Sequence, residues 1–170
     1  MRTLERRREP ELRIFRQVTA VALMPEQDRV RHRLWPTSLR EVEPTIRRLK
    51  IGGRQDLFVF LVVAAAGAEW KIFSKAMEIV CDLSPREMRD LLAKVCASPA
   101  WSAAYATARL PPALFSFFIT VVRLGQAITH QSPEILPSQR LRVMVVRKAL
   151  LESDSDFLVV PVELRAELIA

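Results

Sequence analysis

The stretch RQDLFVFLVVAAAG, residues 54–67, constrains this chain more than any other. Beyond Asp56 it carries no charge, and its apolar residues fall on every side of a helical wheel. A helix of that kind needs neighbours all round and belongs in the centre of a domain. Gly67 is its natural stop. The rest of the chain can supply the neighbours, since 50% of its 170 residues are apolar. Gly is rare, at four residues, whereas Pro, at eleven, mostly punctuates apolar periodic runs. That combination predicts helices with sharp starts rather than sheets with glycine turns. The expected fold is all-α: a helical bundle of about six to eight helices, or a short HEAT-like array of stacked helical hairpins, with a basic N-terminal arm.

Three segments follow from the patterning. Residues 1–24 are a basic N-terminal arm and helix, with Leu12, Phe15, Val18 and Ala22 at helical spacing and an Arg-rich lead-in before Pro10. The helix is expected over about 11–24, and removal of residues 1–16 is expected to leave the fold intact. Residues 25–53 are a connector with a short helix. That helix opens on a capping-box pattern, Ser38 with Glu41, and stops at Gly52-Gly53. Pro44 inside it predicts a kink or two short pieces. Residues 54–170 form the helical domain. Ser84-Pro85 and Ser98-Pro99 read as helix starts, as does the region of Pro112, and Ser138 is a further cap. Residues 157–162 suit an extended link into a last helix near Pro161.

Within that domain the pattern echoes itself. Three, six, seven and ten residues beyond Pro85 stand Met88, Leu91, Leu92 and Val95; at the same offsets beyond Pro112 stand Phe115, Phe118, Ile119 and Val122. LSP precedes one set and LPP the other, each after a helix carrying a Trp, Trp70 and Trp101. Two helical hairpins packed side by side, at about 69–97 and 99–128, would produce this. Phe117 lies off the repeated face and is assigned to the core rather than to a second interface.

Charge is uneven. Residues 1–50 hold thirteen Lys/Arg against seven Asp/Glu, and residues 51–170 hold thirteen against twelve, so the net +7 belongs almost wholly to the front. Arg6, Arg7, Arg8, Arg13 and Arg16 are the candidate anion- or partner-binding set, fit for phosphates or an acidic protein. No aromatic residue interleaves the first fourteen positions, so stacking on single-stranded bases is not indicated. A second candidate surface is the helix of DLSPREMRDLLAKV, with Arg86, Arg89 and Lys94. Preceded by FSKAMEIV, it has the helix-turn-helix outline, but the turn lacks the usual glycine, and Glu87 and Asp90 would face phosphates unfavourably. A stacking role accounts for both echoed helices, a groove-reading role for one only.

Reaction chemistry is not announced anywhere. No phosphate-binding loop, dinucleotide fingerprint, serine elbow or metal-spaced His/Glu pair occurs. His130 lies after a helix end with no acidic partner nearby in sequence, and His32 lies in the basic connector. Cys81 and Cys96 lie on apolar helical patterns and read as buried free thiols in a reducing cytoplasm. SDSD at 153–156 reads as a turn with a cap, since the spacing of a calcium loop is absent. The longest apolar run, 57–68, is about half of what a bilayer requires, so stable membrane insertion is not expected.

FSKAMEIVCDLSPREMRDLLAK followed by LPPALFSFFITVVRLG, within residues of about 69–128, resembles the second half of a bacterial family of uncharacterised helical-repeat proteins whose members resemble HEAT-repeat solenoids. In that family a helix, a Leu-Ser/Pro helix start, an apolar Leu-Leu and a Leu-Pro-x-Ala-Phe-like helix recur in this order. Where the family has a Gly-containing stretch this chain has CASPAWSAAYATA. The resemblance implies a scaffold or adaptor, with no catalytic residues to carry over. The expectation is therefore a non-catalytic cytoplasmic adaptor or regulator, without metal or cofactor, that binds another protein through a helical surface. The alternative is a nucleic-acid-associated regulator using the Arg-rich N-terminus, with or without the 85–95 helix. Self-association is left open.

Overall fold

In the computed structural model the described residues are 2–29, 32, 35–36, 38–94, 98–131 and 139–152, and all regular structure among them is helical. The order is α1 (Arg2–Leu23), a single turn α2 (Glu26–Arg29), α3 (Leu39–Gly52), α4 (Arg54–Ala66), α5 (Trp70–Cys81), α6 (Pro85–Ala93), α7 (Pro99–Thr107), a 3-10 turn (Pro112–Leu114), α8 (Phe115–Gln131) and α9 (Gln139–Glu152). The expected cap at Ser138, the SDSD turn, the link at 157–162 and the last helix lie outside the described residues, as do Val95 and Cys96.

α4 is the axis of the bundle. Every residue from Leu57 to Ala66 is buried, and α1, α3, α5, α8 and α9 all pack against it. Its aromatic rings key into the neighbours: Phe58 lies 6.4 Å from both Phe117 and Phe118, and Phe60 lies 5.2 Å from Trp35. The all-round apolar pattern is satisfied in the only way open to it, by enclosure.

α1 corrects the expected helix start. It runs unbroken from Arg2 with Pro10 inside, and α3 likewise runs through Pro44. Both prolines are exposed, on the solvent side of their helices, where a carbonyl left without its N–H partner can be hydrated. α1 also enters the core earlier than expected. Ile14 and Phe15 are buried, and the Phe15 ring stands edge-on to Phe117 at 5.0 Å. Cutting after residue 16 would therefore remove core side chains, contrary to the expectation that the fold survives it. α1 and α9 are antiparallel: the Gln139 amide donates to the Leu23 carbonyl and Arg142 Nη2 to the Met24 carbonyl at 3.0 Å.

The capping box is displaced relative to expectation. Ser38 stands at the N-cap of α3, but its hydroxyl makes no capping bond; the Glu41 N–H goes to the Ser38 carbonyl at 3.1 Å instead. The reciprocal box occurs at α6. Ser84 Oγ accepts from the Glu87 N–H at 3.2 Å and the Ser84 N–H donates to Glu87 Oε2 at 2.7 Å. Asp82 occupies the left-handed position (φ 54°, ψ 47°) that ends α5, a place where Asp is among the few tolerated non-glycine residues.

The two echoed segments lie side by side. The Cys81 thiol donates to the Ala104 carbonyl at 3.3 Å, Gln126 Nε2 to the Leu92 carbonyl at 2.8 Å, and Phe73 sits 6.3 Å from Phe118. Within the second segment Tyr105 packs on Phe115 and Phe118 at 4.9 and 5.1 Å. Their positions in the bundle differ, however. α6 rests on α5 and buries Met88 and Leu91, with Leu92 only half-buried. α8 packs on both α4 and α9 and buries Phe117, Phe118, Val121 and Val122 completely. Phe117 is thus core, as expected. The approach of α8 to α4 is close enough to demand Gly125: a Cβ there would stand 2.4 Å from the Ala65 carbonyl oxygen and 3.1 Å from the Trp70 ring. Residues 112–130 are long and apolar enough to cross a bilayer, with a mean hydropathy of 1.4. Here that apolar face is packed against α4.

Candidate functional site

The Arg-rich front divides in two. Arg13 and Arg16 are exposed on α1, three residues apart on one face. Arg6, Arg7 and Arg8 lie in the first turns of the same helix, and their side chains fall outside the described ones. α1 has 22 residues and its antiparallel neighbour α9 has 14, so the arginine turns extend past the end of α9.

α6 carries the second predicted set. Arg86 and Arg89 are exposed, interspersed with exposed Glu87 and Asp90. Lys94 sits just past the helix end in an extended conformation and joins Glu87 and Asp90 on the rim of a shallow groove between α6 and α7. The three cations are therefore not gathered. The groove has a volume of about 340 Å³ and an apolar floor that includes Leu83, Leu91 and Ala104. The capping bonds from Ser84, backbone first and hydroxyl second, hold the Glu87 carboxyl below its ordinary range. That carboxylate is committed to closing the helix start.

Cys81 lies at the base of the same groove, and burial pushes its thiol up to about 11, with Lys50 pulling weakly the other way. Such a thiol is almost wholly protonated near neutrality and is a poor nucleophile. Burial also pushes the Tyr105 phenol upward; its hydroxyl donates to the Pro111 carbonyl at 2.5 Å and fixes the turn into α8. Both groups have structural work. His130 is exposed in the last turn of α8. Among the described residues no three His, Cys, Asp or Glu side chains come close enough to hold a metal ion.

A second groove, about 530 Å³, lies between α3 and α5, lined by Leu39, Trp70, Lys71, Ser74, Lys75 and Glu78. Its indole N–H is engaged inward, donating to Thr129 Oγ1 at 2.8 Å, and Thr129 in turn donates to the Gly125 carbonyl at 2.9 Å. What Trp70 offers the groove is its apolar ring.

The surface that the sequence reading missed is on α9. Leu141, Arg142, Val145, Val146, Ala149 and Leu150 are buried, and the opposite side exposes Arg140, Met144, Arg147, Lys148 and Leu151. Met144 and Leu151 are 51% and 68% exposed, high for large apolar side chains. The signal was present in QRLRVMVVRKALLE: too many apolar residues for one buried face.

No known family, no curated protein and no solved structure matches this chain.

Proposed function

We propose that this protein is a non-catalytic helical module that binds another protein through its outer helical surface. One observation carries the reading. Around a closed core, large apolar side chains stand in water: Leu39 at 49%, Ile51 at 90%, Met144 at 51% and Leu151 at 68% exposure. Two of them share one helix face. Exposed apolar groups bordered by cations fit protein recognition, in which Met and Arg are enriched. The adaptor role implied by the helical-repeat resemblance agrees with this, as does a cytoplasmic setting for the buried free thiol of Cys81. A photo-crosslinking amino acid placed at Ile51, Met144, Leu151 or Arg86 in living cells is the test. A crosslinked adduct with a distinct protein at one or more of these sites is expected. Adducts with nucleic acid alone, or none at any site, overturn the reading.

Arg13 and Arg16, exposed three residues apart on one face of α1, favour a second reading, an auxiliary contact with nucleic acid. Under it, duplex DNA binds with a steep salt dependence that weakens when Arg13 and Arg16 become Glu. No mobility shift at low salt ends it.

A further inference from the structure

We propose that the outer face of α9 is a docking strip for an acidic amphipathic helix of a partner protein, an inference that rests on the protein-binding reading above. At about 100° per residue, Arg140, Met144, Arg147, Lys148 and Leu151 fall within about 100° of the helix circumference. Met144 and Leu151 run down the middle. Arg140 and Arg147 border them on one side, and Lys148 on the other. This is an apolar centre with a charged rim, the layout of a protein interface. The apolar pair is seven residues apart, about 10 Å along the axis, which matches two turns of a helix presenting its own apolar stripe.

Charge selects the occupant. Three of the five strip residues are cationic and none is acidic. The carboxylate of α9 itself, Glu152, is taken by Arg123 at 2.6 Å and reached by Lys148 at 3.8 Å. Among the described residues none of the ion pairs engages Arg140 or Arg147. On the antiparallel neighbour α1, Arg13 and Arg16 are exposed, and so is Glu9. A partner helix lying along α9 must therefore flank its apolar stripe with Asp or Glu. A phosphate backbone would neutralise the same cations but leave Met144 and Leu151 with nothing apolar to cover them. Met suits the centre because its unbranched side chain adapts to the surface it meets.

The test uses the full chain and a fluorescein-labelled helical peptide bearing a leucine stripe flanked by glutamates, with a scrambled peptide of the same composition as control. Fluorescence anisotropy should show the striped peptide binding at least about tenfold more tightly than the scrambled one. Met144→Ser with Leu151→Ser, and separately Arg147→Glu with Lys148→Glu, should each weaken it about tenfold or more, while Arg86→Glu with Arg89→Glu leaves it unchanged. Wild-type affinity in both α9 variants overturns the proposal, as does equal binding of the scrambled peptide. A homodimer that Leu151→Ser dissociates also overturns it, because the occupant is then a second copy. So does duplex DNA binding abolished by the charge reversals but not by the serine pair. If the cellular crosslinks form at Ile51 or Arg86 but not on α9, the docking strip is wrong while the broader function stands; if they form nowhere, the broader function fails as well.

Discussion

α4 and α9 are nearly the same length and both carry apolar residues on every side, yet they meet water differently. All of Leu57–Ala66 in α4 is enclosed by five other helices. α9 packs on α1, α4 and α8, and its far side leaves Met144 and Leu151 exposed. Charge marks the difference. α4 has charged residues only in its first turn, Arg54 and Asp56, whereas α9 carries Arg140, Arg142, Arg147, Lys148 and Glu152. All-round apolarity thus has two physical outcomes. Without charges a helix must be covered by its own chain; with long cations beside its outer apolar pair, it can remain solvated.

The comparison can be broken or sharpened by substitution. Phe58→Ala in α4 opens a hole between Phe117 and Phe118 and should cost about 4 kcal/mol in urea unfolding. A loss under about 1 kcal/mol would mean that α4 is not the enclosed axis. Gly125→Ala drives a methyl against the Ala65 carbonyl and should cost about 3 kcal/mol, read as a lower melting temperature. An unchanged melting temperature would mean that α8 does not approach α4 so closely.

Ser84→Ala should cost about 1 kcal/mol and raise amide exchange in α6. This effect depends on pH. The Glu87 carboxyl is held below its ordinary range, so its contribution is complete above that range and is lost as the pH falls through the lowered value. The difference between wild type and Ser84→Ala should therefore narrow in acid, and a constant difference would detach Glu87 from the cap. The smallest effect belongs to the outer face of α9. Met144→Ser with Leu151→Ser should change stability by no more than about 0.5 kcal/mol, because neither side chain is enclosed. A large loss would show that the strip is part of the core after all.

Much of this is legible in the sequence. The enclosure of α4 followed from its lack of charge, and Ser84-Pro85 and Ser98-Pro99 marked true helix starts. Phe117 was rightly assigned to the core. The misreadings share one cause. Pro10 was weighed as a breaker and Ser38 as a side-chain cap from local chemistry alone. Whether a proline's orphaned carbonyl meets water, or a cap hydroxyl is needed, depends on the surroundings. The front of the chain looked separable because its charges are obvious, whereas Ile14 and Phe15 reveal their depth only against α4 and α8.

The sequence by itself determined that the chain is helical, where most helices begin, and that residues 57–66 must be buried, because these depend on dihedral preference, capping and the cost of wetting apolar surface within a single helix. Only the tertiary structure decided that Gly125 lies against Ala65, that Cys81 meets Ala104, and which of two apolar sides of α9 faces inward. Those outcomes depend on which other helices arrive and at what distance, and no local pattern encodes the far side of a contact.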